Sequence, residues 1–228
     1  MVRYKWLQAY LPLDIKELAQ RMLDNEFADA RQEGFIISKS TNTELSGKYV
    51  EKIIKKEMVE DPFGFAIETE SIDFYTCRFL IQANSKFIRI VTPPRSLRKF
   101  INALREITGF GLIVSEPSVD PQSWLRALTK VVDNLELVNI RSSGIKASDY
   151  ASAKLEISGS RDVTEAYRIM LDGKRHTVDS LKFIGDKDGY KFSGEIGKRA
   201  NLKLNGKGSP ELLQLLSKQL DFLFKHEK

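Results

Sequence analysis

The sequence predicts an α+β fold made of two tandem pseudo-repeats, each a mainly antiparallel sheet backed by helices. Hydrophobic residues make up 42% of the 228 positions and charged residues 29%, values typical of a folded globular chain. Strand and helix patterns occur twice in the same order: strand, helix, strand, helix, three strands, helix. The first helices of the two halves start 106 residues apart, and the last helices start 113 residues apart. The repeats are therefore expected at residues 1–110 and 111–228.

The first half contains five strand patterns and three helix patterns. The strand patterns lie at residues 3–11, 35–38, 63–68, 72–81 and 86–91. The helix patterns lie at residues 14–23, 48–59 and 96–107. Asp14 and Glu17 form a capping box at the first helix, and Ser96 caps the third. Residues 48–59 place apolar side chains at helical spacing between lysines and glutamates, which predicts an amphipathic helix.

The second half repeats this order with one strand added. Its strand patterns lie at residues 112–115, 135–140, 154–157, 178–184, 189–196 and 200–204. Its helices begin at Asp120, at Ser160 or Asp162, and at Ser209. Pro121 and Pro210 occupy first-turn positions that suit proline. Strand 154–157 has no counterpart in the first half.

Cysteine content and hydropathy bear on the cellular compartment. Cys77 is the only cysteine, so no internal disulfide can form. The apolar runs are too short to span a bilayer, and the N-terminus lacks a signal-peptide core. The sequence therefore predicts a cytoplasmic protein, with the nucleus left open and no membrane partner.

Motifs for catalysis and for cofactors are missing from the sequence. It contains no glycine-rich phosphate loop, no dinucleotide fingerprint and no nucleophile elbow. His176, His226 and Cys77 are too few to build a zinc site from histidine and cysteine alone. These observations favour a protein that is not an enzyme and has no cofactor.

One catalytic alternative, a metal-dependent nuclease, remains open. Asp188, Glu195 and Lys198 follow the order of an acidic pair and a strand lysine, with Glu156 and Lys154 on a nearby strand. In such a site the carboxylates hold Mg²⁺ and the lysine orients a water molecule.

Basic residues are concentrated in the second half. Residues 121–228 carry the whole net charge of +5. Strict alternation in the C-terminal strands predicts one face packed on helices and one solvated face. The solvated face and its adjacent turn supply the candidate nucleic-acid-binding residues: Lys154, Lys182, Lys191, Lys198, Arg199, Asn201 and Lys203. Because no aromatic residue occupies a stacking position, contact with phosphates is the expected mode.

A second candidate is an anion site at the start of the helix that follows Pro94. Arg95, Arg98 and Lys99 lie where the helix dipole already presents positive potential. The alternative interpretation is an ordinary solvated basic face.

The strands of the first half are apolar on both faces. One layer of helices covers only one face of a sheet, so an exposed apolar face is expected to hold several residues. They are expected to come from the set Phe74, Tyr75, Phe79, Ile81, Ile88 and Ile90. The alternative is that helices of the second repeat cover this face. The first half is therefore predicted to bind a protein partner or a second copy of the chain.

The preferred function is a non-catalytic binding subunit of a larger assembly that contacts nucleic acid or another polyanion through its basic half. A protein–protein scaffold and a metal-dependent nuclease are the alternatives.

Overall fold

The computed structural model describes residues 1–28, 30–60 and 62–225, which form eleven strands and five helices. The strands are β1 (Val2–Tyr10), β2 (Glu33–Ser40), β3 (Glu44–Glu60), β4 (Ala66–Gln82), β5 (Phe87–Val91), β6 (Ile113–Ser115), β7 (Asn134–Lys146), β8 (Ser152–Ser158), β9 (Thr177–Lys187), β10 (Tyr190–Gly197) and β11 (Asn201–Gly206). The helices are α1 (Ile15–Asp24), α2 (Arg98–Thr108), α3 (Pro121–Leu125), α4 (Thr164–Leu171) and α5 (Ser209–Lys225). The α+β class is confirmed.

The chain forms two compact units. The N-terminal unit contains residues 9–114, and the C-terminal unit contains residues 1–8 together with 115–228. The chain thus leaves the C-terminal unit within β1 and returns to it within β6. Residues 1–8 belong to the C-terminal unit because β1 pairs with β11, from Val2 opposite Leu204 to Lys5 opposite Asn201.

In the N-terminal unit, β2, β3, β4 and β5 form an antiparallel meander. Asp14 accepts a hydrogen bond from the Glu17 amide at 2.8 Å and caps α1, as the capping-box pattern predicts. Phe79 of β4 stacks on Phe100 of α2 at a centroid distance of 5.4 Å. The buried side chains of α1 and α2, including Leu18 of α1, contribute to the core of this unit.

The helix predicted at residues 48–59 is wrong, because these residues belong to β3. The strands predicted at 63–68 and 72–81 are also not separate, since 66–82 form the single strand β4. The two strands pair without a bulge, and Lys55 and Asp73 form a cross-strand ion pair at 3.0 Å. Pairing with β4 therefore decides the conformation of residues 48–59, although their apolar side chains have helical spacing. The element order on which the repeat was based fails in the first half, and the tandem repeat is not confirmed.

In the C-terminal unit, six strands pair antiparallel in the order β1-β11-β10-β9-β7-β8. Helices α3 and α5 pack on one face of this sheet. The Trp124 indole of α3 donates a hydrogen bond to the Leu216 carbonyl of α5 at 2.8 Å. Trp6 of β1 packs edge-on against Trp124 at 5.3 Å. The face opposite these helices is called the open face below.

The turn before β10 and a glycine within the strand determine how β10 packs against β9. Asp188 and Gly189 both have positive φ, at 54° and 76°, and make the tight turn that joins β9 to β10. On the helix side, Gly194 lies directly opposite Phe183 of β9. A Cβ at position 194 would overlap the Phe183 ring and lie 2.8 Å from the Lys203 carbonyl oxygen. The absence of a side chain at Gly194 therefore lets the Phe183 ring lie flat on the sheet.

Candidate nucleic-acid interface

Strand register aligns charged residues across the open face. Lys182 of β9 is opposite Glu195 of β10, Glu195 is opposite Lys203 of β11, and Lys203 is opposite Arg3 of β1. Directly opposite residues in antiparallel strands have Cβ atoms about 5 Å apart. Four strands therefore carry a row of three cations around a single carboxylate.

A second row of polar residues and glycine lies beside the first and crosses all six strands. Its members, from β8 to β1, are Glu156, Arg141, Ser180, Gly197, Asn201 and Lys5. Side chains alternate in direction along a strand, so every second residue of each strand contributes to the same face. The two rows give the open face its polar surface.

Glu195 holds two of the cations in place. Its side chain is only 11% exposed, and it accepts hydrogen bonds from Arg141 Nη2 at 2.5 Å and from Lys203 Nζ at 2.8 Å. Burial by itself raises the pKa of Glu195. The Lys203 hydrogen bond and the charges of Lys203, Arg141 and Lys182 outweigh burial, so the pKa lies below its usual value. Glu195 is therefore ionised at neutral pH and orients both side chains.

Asp179 holds Lys198 of the β10–β11 turn in place. Its carboxylate accepts hydrogen bonds from Lys198 Nζ and from Ser143 Oγ, and its carbonyl accepts one from the Lys198 amide at 2.9 Å. Burial by itself raises the pKa of Asp179. The hydrogen bonds from Lys198 and Ser143 and the charges of Lys198 and Lys154 outweigh burial, so the pKa lies below its usual value. The turn that carries Lys198 and Arg199 is thus fixed to β9.

A groove of about 490 Å³ lies between these groups on the open face. Ser180 and Gly197, opposite each other in the register, are among the residues that line it. Its hydrogen-bond donors and cations are Arg141, Lys154, Lys198, Arg199 and Asn201. Its acids are Glu156, Asp179 and Glu195. The four cations exceed the three acids by one charge, and Arg141 and Lys198 are held by Glu195 and Asp179. The groove therefore offers two oriented cations and an amide to a ligand with negatively charged oxygens.

The structure places all seven predicted nucleic-acid-binding residues on the open face or at its adjoining turn. Four of them line the groove: Lys154, Lys198, Arg199 and Asn201. Lys182 and Lys203 lie in the first row, and Lys191 lies further along β10. Lys154, Lys182 and Lys191 are exposed, and within the described ranges none of them has an acidic partner within 4.0 Å. These three lysines carry charge that no ion pair of the described chain neutralises.

Sequence reasoning missed Arg3, Lys5 and Arg141. Arg3 and Lys5 lie in a strand that was predicted, but nothing local indicates that this strand pairs with β11. Arg141 follows the predicted strand 135–140 by one residue, and β7 continues to Lys146. Alternation continued from Leu135 and Leu137 would place Arg141 on the helix side, and the bulge between Leu137 and Asn139 turns Arg141 to the open face. The alternation of the predicted strand therefore does not identify Arg141.

The structure does not assemble the arrangement expected of a metal-dependent nuclease. Asp188 lies in the β9–β10 turn, and Glu195 is seven residues further along β10, which corresponds to about 23 Å. Glu195 is bonded to two cations. Among residues 1–28, 30–60 and 62–225, no three histidine, cysteine or acidic side chains are grouped closely enough to hold a metal. His226 lies outside the described residues.

The residues of the predicted anion site surround the start of α2. Lys99 is engaged within the chain, since its Nζ lies 2.5 Å from Glu51 Oε1 and 5.7 Å from the centre of the Tyr75 ring. Arg95 and Arg98 are exposed. The anion site remains a prediction.

The exposed apolar face predicted for the first half is largely wrong. Phe79, Ile81, Ile88 and Ile90 are buried within the chain. Cys77 is also buried, and burial raises the pKa of its thiol to about 12. Phe74 is exposed, but it belongs to a different surface, the outer part of the β3–β4 hairpin.

No protein-family model matches this sequence, and no curated protein matches it. None of the helices in the described part of the chain has the length and apolarity needed to cross a membrane.

Proposed function

We propose that the protein is a non-catalytic nucleic-acid-binding subunit whose open face contacts the phosphate backbone. The observation that supports this function best is the set of exposed open-face lysines without ion-pair partners, Lys154, Lys182 and Lys191. Lys154 lines the groove, Lys182 lies in the first row, and Lys191 lies further along β10. Phosphate contacts supply most of the non-specific affinity of DNA-binding proteins, and lysine and arginine make many of them.

The ion pairs in the groove favour this role. Arg141 and Lys203 are oriented by the Glu195 carboxylate, and Arg141 Nε also donates to Ser180 Oγ at 2.9 Å. A side chain that is already held in place loses less entropy when it binds a ligand. The exposed fractions of these side chains, 41% for Arg141 and 38% for Lys203, leave part of each accessible to a phosphate.

The same surface argues for contact with the backbone rather than with stacked bases. Neither of the two residue rows contains an aromatic side chain. Proteins that hold single strands by stacking present several aromatic rings in a basic channel. We therefore expect duplex binding with little dependence on sequence and strong dependence on salt.

The first test combines three substitutions, Lys154→Ala, Lys182→Ala and Lys191→Ala. These residues lack acidic partners within the described chain, so their removal breaks no ion pair. A matched control, Lys130→Ala with Lys174→Ala and Lys218→Ala, removes the same charge from exposed positions off the open-face rows. Binding is measured by fluorescence anisotropy of a labelled duplex at several salt concentrations.

We expect the open-face variant to bind the duplex about 10- to 100-fold more weakly at moderate salt. Each lost phosphate contact should reduce the slope of log K against log salt by about 0.9, while the control should change little. Equal effects of the two variants would contradict the proposal. So would a wild-type protein that does not bind duplex at low salt, a result that would favour the scaffold function.

A further inference from the structure

The outer part of the β3–β4 hairpin extends beyond its neighbouring strands. Both strands have 17 residues, but β2 pairs with β3 only as far as Glu51, and β5 pairs with β4 only from Arg78 onward. Residues 52–60 and 66–75 therefore form a two-stranded arm, and neither outer edge has a strand partner in the described chain. A two-stranded hairpin is only marginally stable by itself in water.

The surface of the arm is apolar and acidic. Eight large apolar side chains of the arm and its tip are exposed: Ile54, Met58, Val59, Phe63, Phe65, Ile67, Ile72 and Phe74. Phe63 is 85% exposed and Met58 is 67% exposed. Between residues 52 and 74 the sequence has three lysines and six acidic residues. Exposed apolar patches usually mark interaction sites, and the negative charge disfavours a polyanion, so a protein is the expected partner.

The backbone of β3 directs its even-numbered residues toward the outer edge. The Lys52 amide donates to the Gln32 carbonyl on that side at 2.6 Å. The Glu57 carbonyl, by contrast, accepts from Thr69 Oγ1 of β4 at 3.1 Å. Because β3 and β4 pair without a bulge, this alternation continues along the whole arm. The amides and carbonyls of residues 54, 56 and 58 therefore face the unpaired edge.

The sequence of this edge, KIIKKEMVE, is complementary to itself when two copies run antiparallel about Lys56. The residues that would be opposite each other are Lys52 and Glu60, Ile53 and Val59, Ile54 and Met58, and Lys55 and Glu57. The only like-charged pair is Lys56 with Lys56. Each Lys56 already lies 3.4 Å from Glu68 and 3.9 Å from Glu70 of its own chain, which offsets this repulsion.

Other arrangements of the arm lack this complementarity. Moving the centre to Lys55 places Ile53 opposite Glu57, and moving it to Glu57 places Ile54 opposite Glu60. Pairing β4 with itself about Glu70 places Ile67 opposite Asp73. Unlike the register about Lys56, each of these pairs an apolar side chain with a charged one.

We propose that a second copy of this chain binds along β3, with residues 53–59 pairing antiparallel about Lys56 and with Lys52 of each copy close to Glu60 of the other. The product is a four-stranded sheet in the order β4-β3-β3-β4 with a twofold axis through Lys56. Because Gln32 already occupies the outer edge at Lys52, residues 54, 56 and 58 of the two copies would exchange about six new backbone hydrogen bonds, a number within the range of a specific interface. Two Ile54–Met58 pairs and two Ile53–Val59 pairs add apolar contact on the two faces. The dimer is independent of nucleic-acid binding.

Charge reversal at the ends of this segment tests the partner and the register together. Lys52→Glu brings two glutamates together at each end of the paired segment, and Glu60→Lys brings two lysines together there. Among the described residues, neither Lys52 nor Glu60 forms an intrachain ion pair that these changes would break. Oligomeric state is measured by analytical ultracentrifugation over a concentration series, with thermal unfolding as the control for folding.

We expect the wild-type chain to dimerise and each single variant to raise the dimer dissociation constant at least tenfold. An equimolar mixture of the two single variants should form a heterodimer, because the glutamates at both ends of the segment in one chain are then opposite lysines in the other. The double variant should dimerise like the wild type. Lys56→Pro should give a monomer with an intact hairpin, since the amide of residue 56 faces the outer edge.

The proposal would be overturned by a wild-type chain that is monomeric at every concentration. A mixture of the single variants that stays monomeric, although the wild type dimerises, would show that another surface or register is used.

Discussion

Replacing Glu195 with glutamine should lower stability and strengthen duplex binding. The substitution keeps the shape of a side chain that is 11% exposed but removes the charge that Arg141 and Lys203 share. One end of the glutamine amide still accepts a hydrogen bond. The other end presents an N–H group to a cation, so one of the two ion pairs is replaced by a repulsive contact.

The size of the stability loss depends on how deeply the pair is buried. Removing one partner of a fully buried pair costs about 3–5 kcal/mol, whereas exposed pairs contribute about 0.2–1 kcal/mol. Arg141 and Lys203 are 41% and 38% exposed, so water partly compensates for their lost partner. We therefore expect a loss of about 2 kcal/mol, which corresponds to a decrease in Tm of about 4–8 °C.

Binding should change in the opposite direction. Without the carboxylate, Arg141 and Lys203 lose the orientation that it gives them, but both become free to pair with phosphates and the net charge of the open face rises by one. We expect this electrostatic gain to exceed the entropic cost of the lost orientation. The affinity for duplex should increase about three- to tenfold, and the salt slope should become steeper by about one phosphate equivalent.

The effect on stability should depend on pH. The pKa of Glu195 is lower in the folded chain than its ordinary value of 4.5. Its carboxylate therefore stabilises the fold fully above about pH 4.5, and this contribution is lost as the pH falls through the folded-state pKa. The Tm difference between wild type and Glu195→Gln should be constant from pH 6 to 8 and should become smaller below pH 4.5.

Differential scanning fluorimetry and anisotropy titrations on one preparation measure both effects. Binding that weakens in Glu195→Gln, while the protein remains folded at the assay temperature, would refute the argument that this carboxylate competes with phosphate. An unchanged Tm at neutral pH would refute the energetic role of the two ion pairs.

Two further predictions concern the cores of the two units. Burial raises the pKa of Cys77 to about 12. A thiol reagent such as 5,5′-dithiobis(2-nitrobenzoic acid) should therefore not react with the native protein at pH 8 but should react fully in guanidinium chloride. Reaction within minutes in the native state would contradict this burial. Gly194→Ala should lower the free energy of unfolding by about 1–3 kcal/mol, because its methyl group overlaps the Phe183 ring, while Ser193→Ala on the open face should change it by less than about 0.5 kcal/mol. Denaturant titrations of both variants measure the difference, and equal values would contradict the predicted overlap.

Several elements followed from local sequence because their signals are local. The Asp14 and Glu17 capping pattern predicted the start of α1, and the Asp120–Pro121 pair predicted the start of α3. Alternation at residues 178–204 predicted which side chains of β9, β10 and β11 face the helices. The direction of a side chain depends on its own backbone, so a single strand carries this information.

Residues 48–59 show where local reasoning fails. Val50, Ile54 and Met58 are spaced by four residues, which places them on one face of a helix and equally on one face of a strand. The choice depends on β4, whose Ile72 is opposite Ile54 and whose Glu68 and Glu70 bond Lys56. No window of local sequence contains these partners.

The candidate interface also has a part that local sequence predicts and a part that strand pairing decides. The sequence by itself determined that the C-terminal strands have a lysine-bearing solvated face, because alternation fixes the direction of each side chain. Only the tertiary structure brought Arg3 and Lys5 beside Lys203 and Asn201, about two hundred residues away in the chain, and placed Glu195 between Arg141 and Lys203. Strand pairing decides such neighbours, and it depends on the combined packing of all strands and helices in the unit rather than on any one segment.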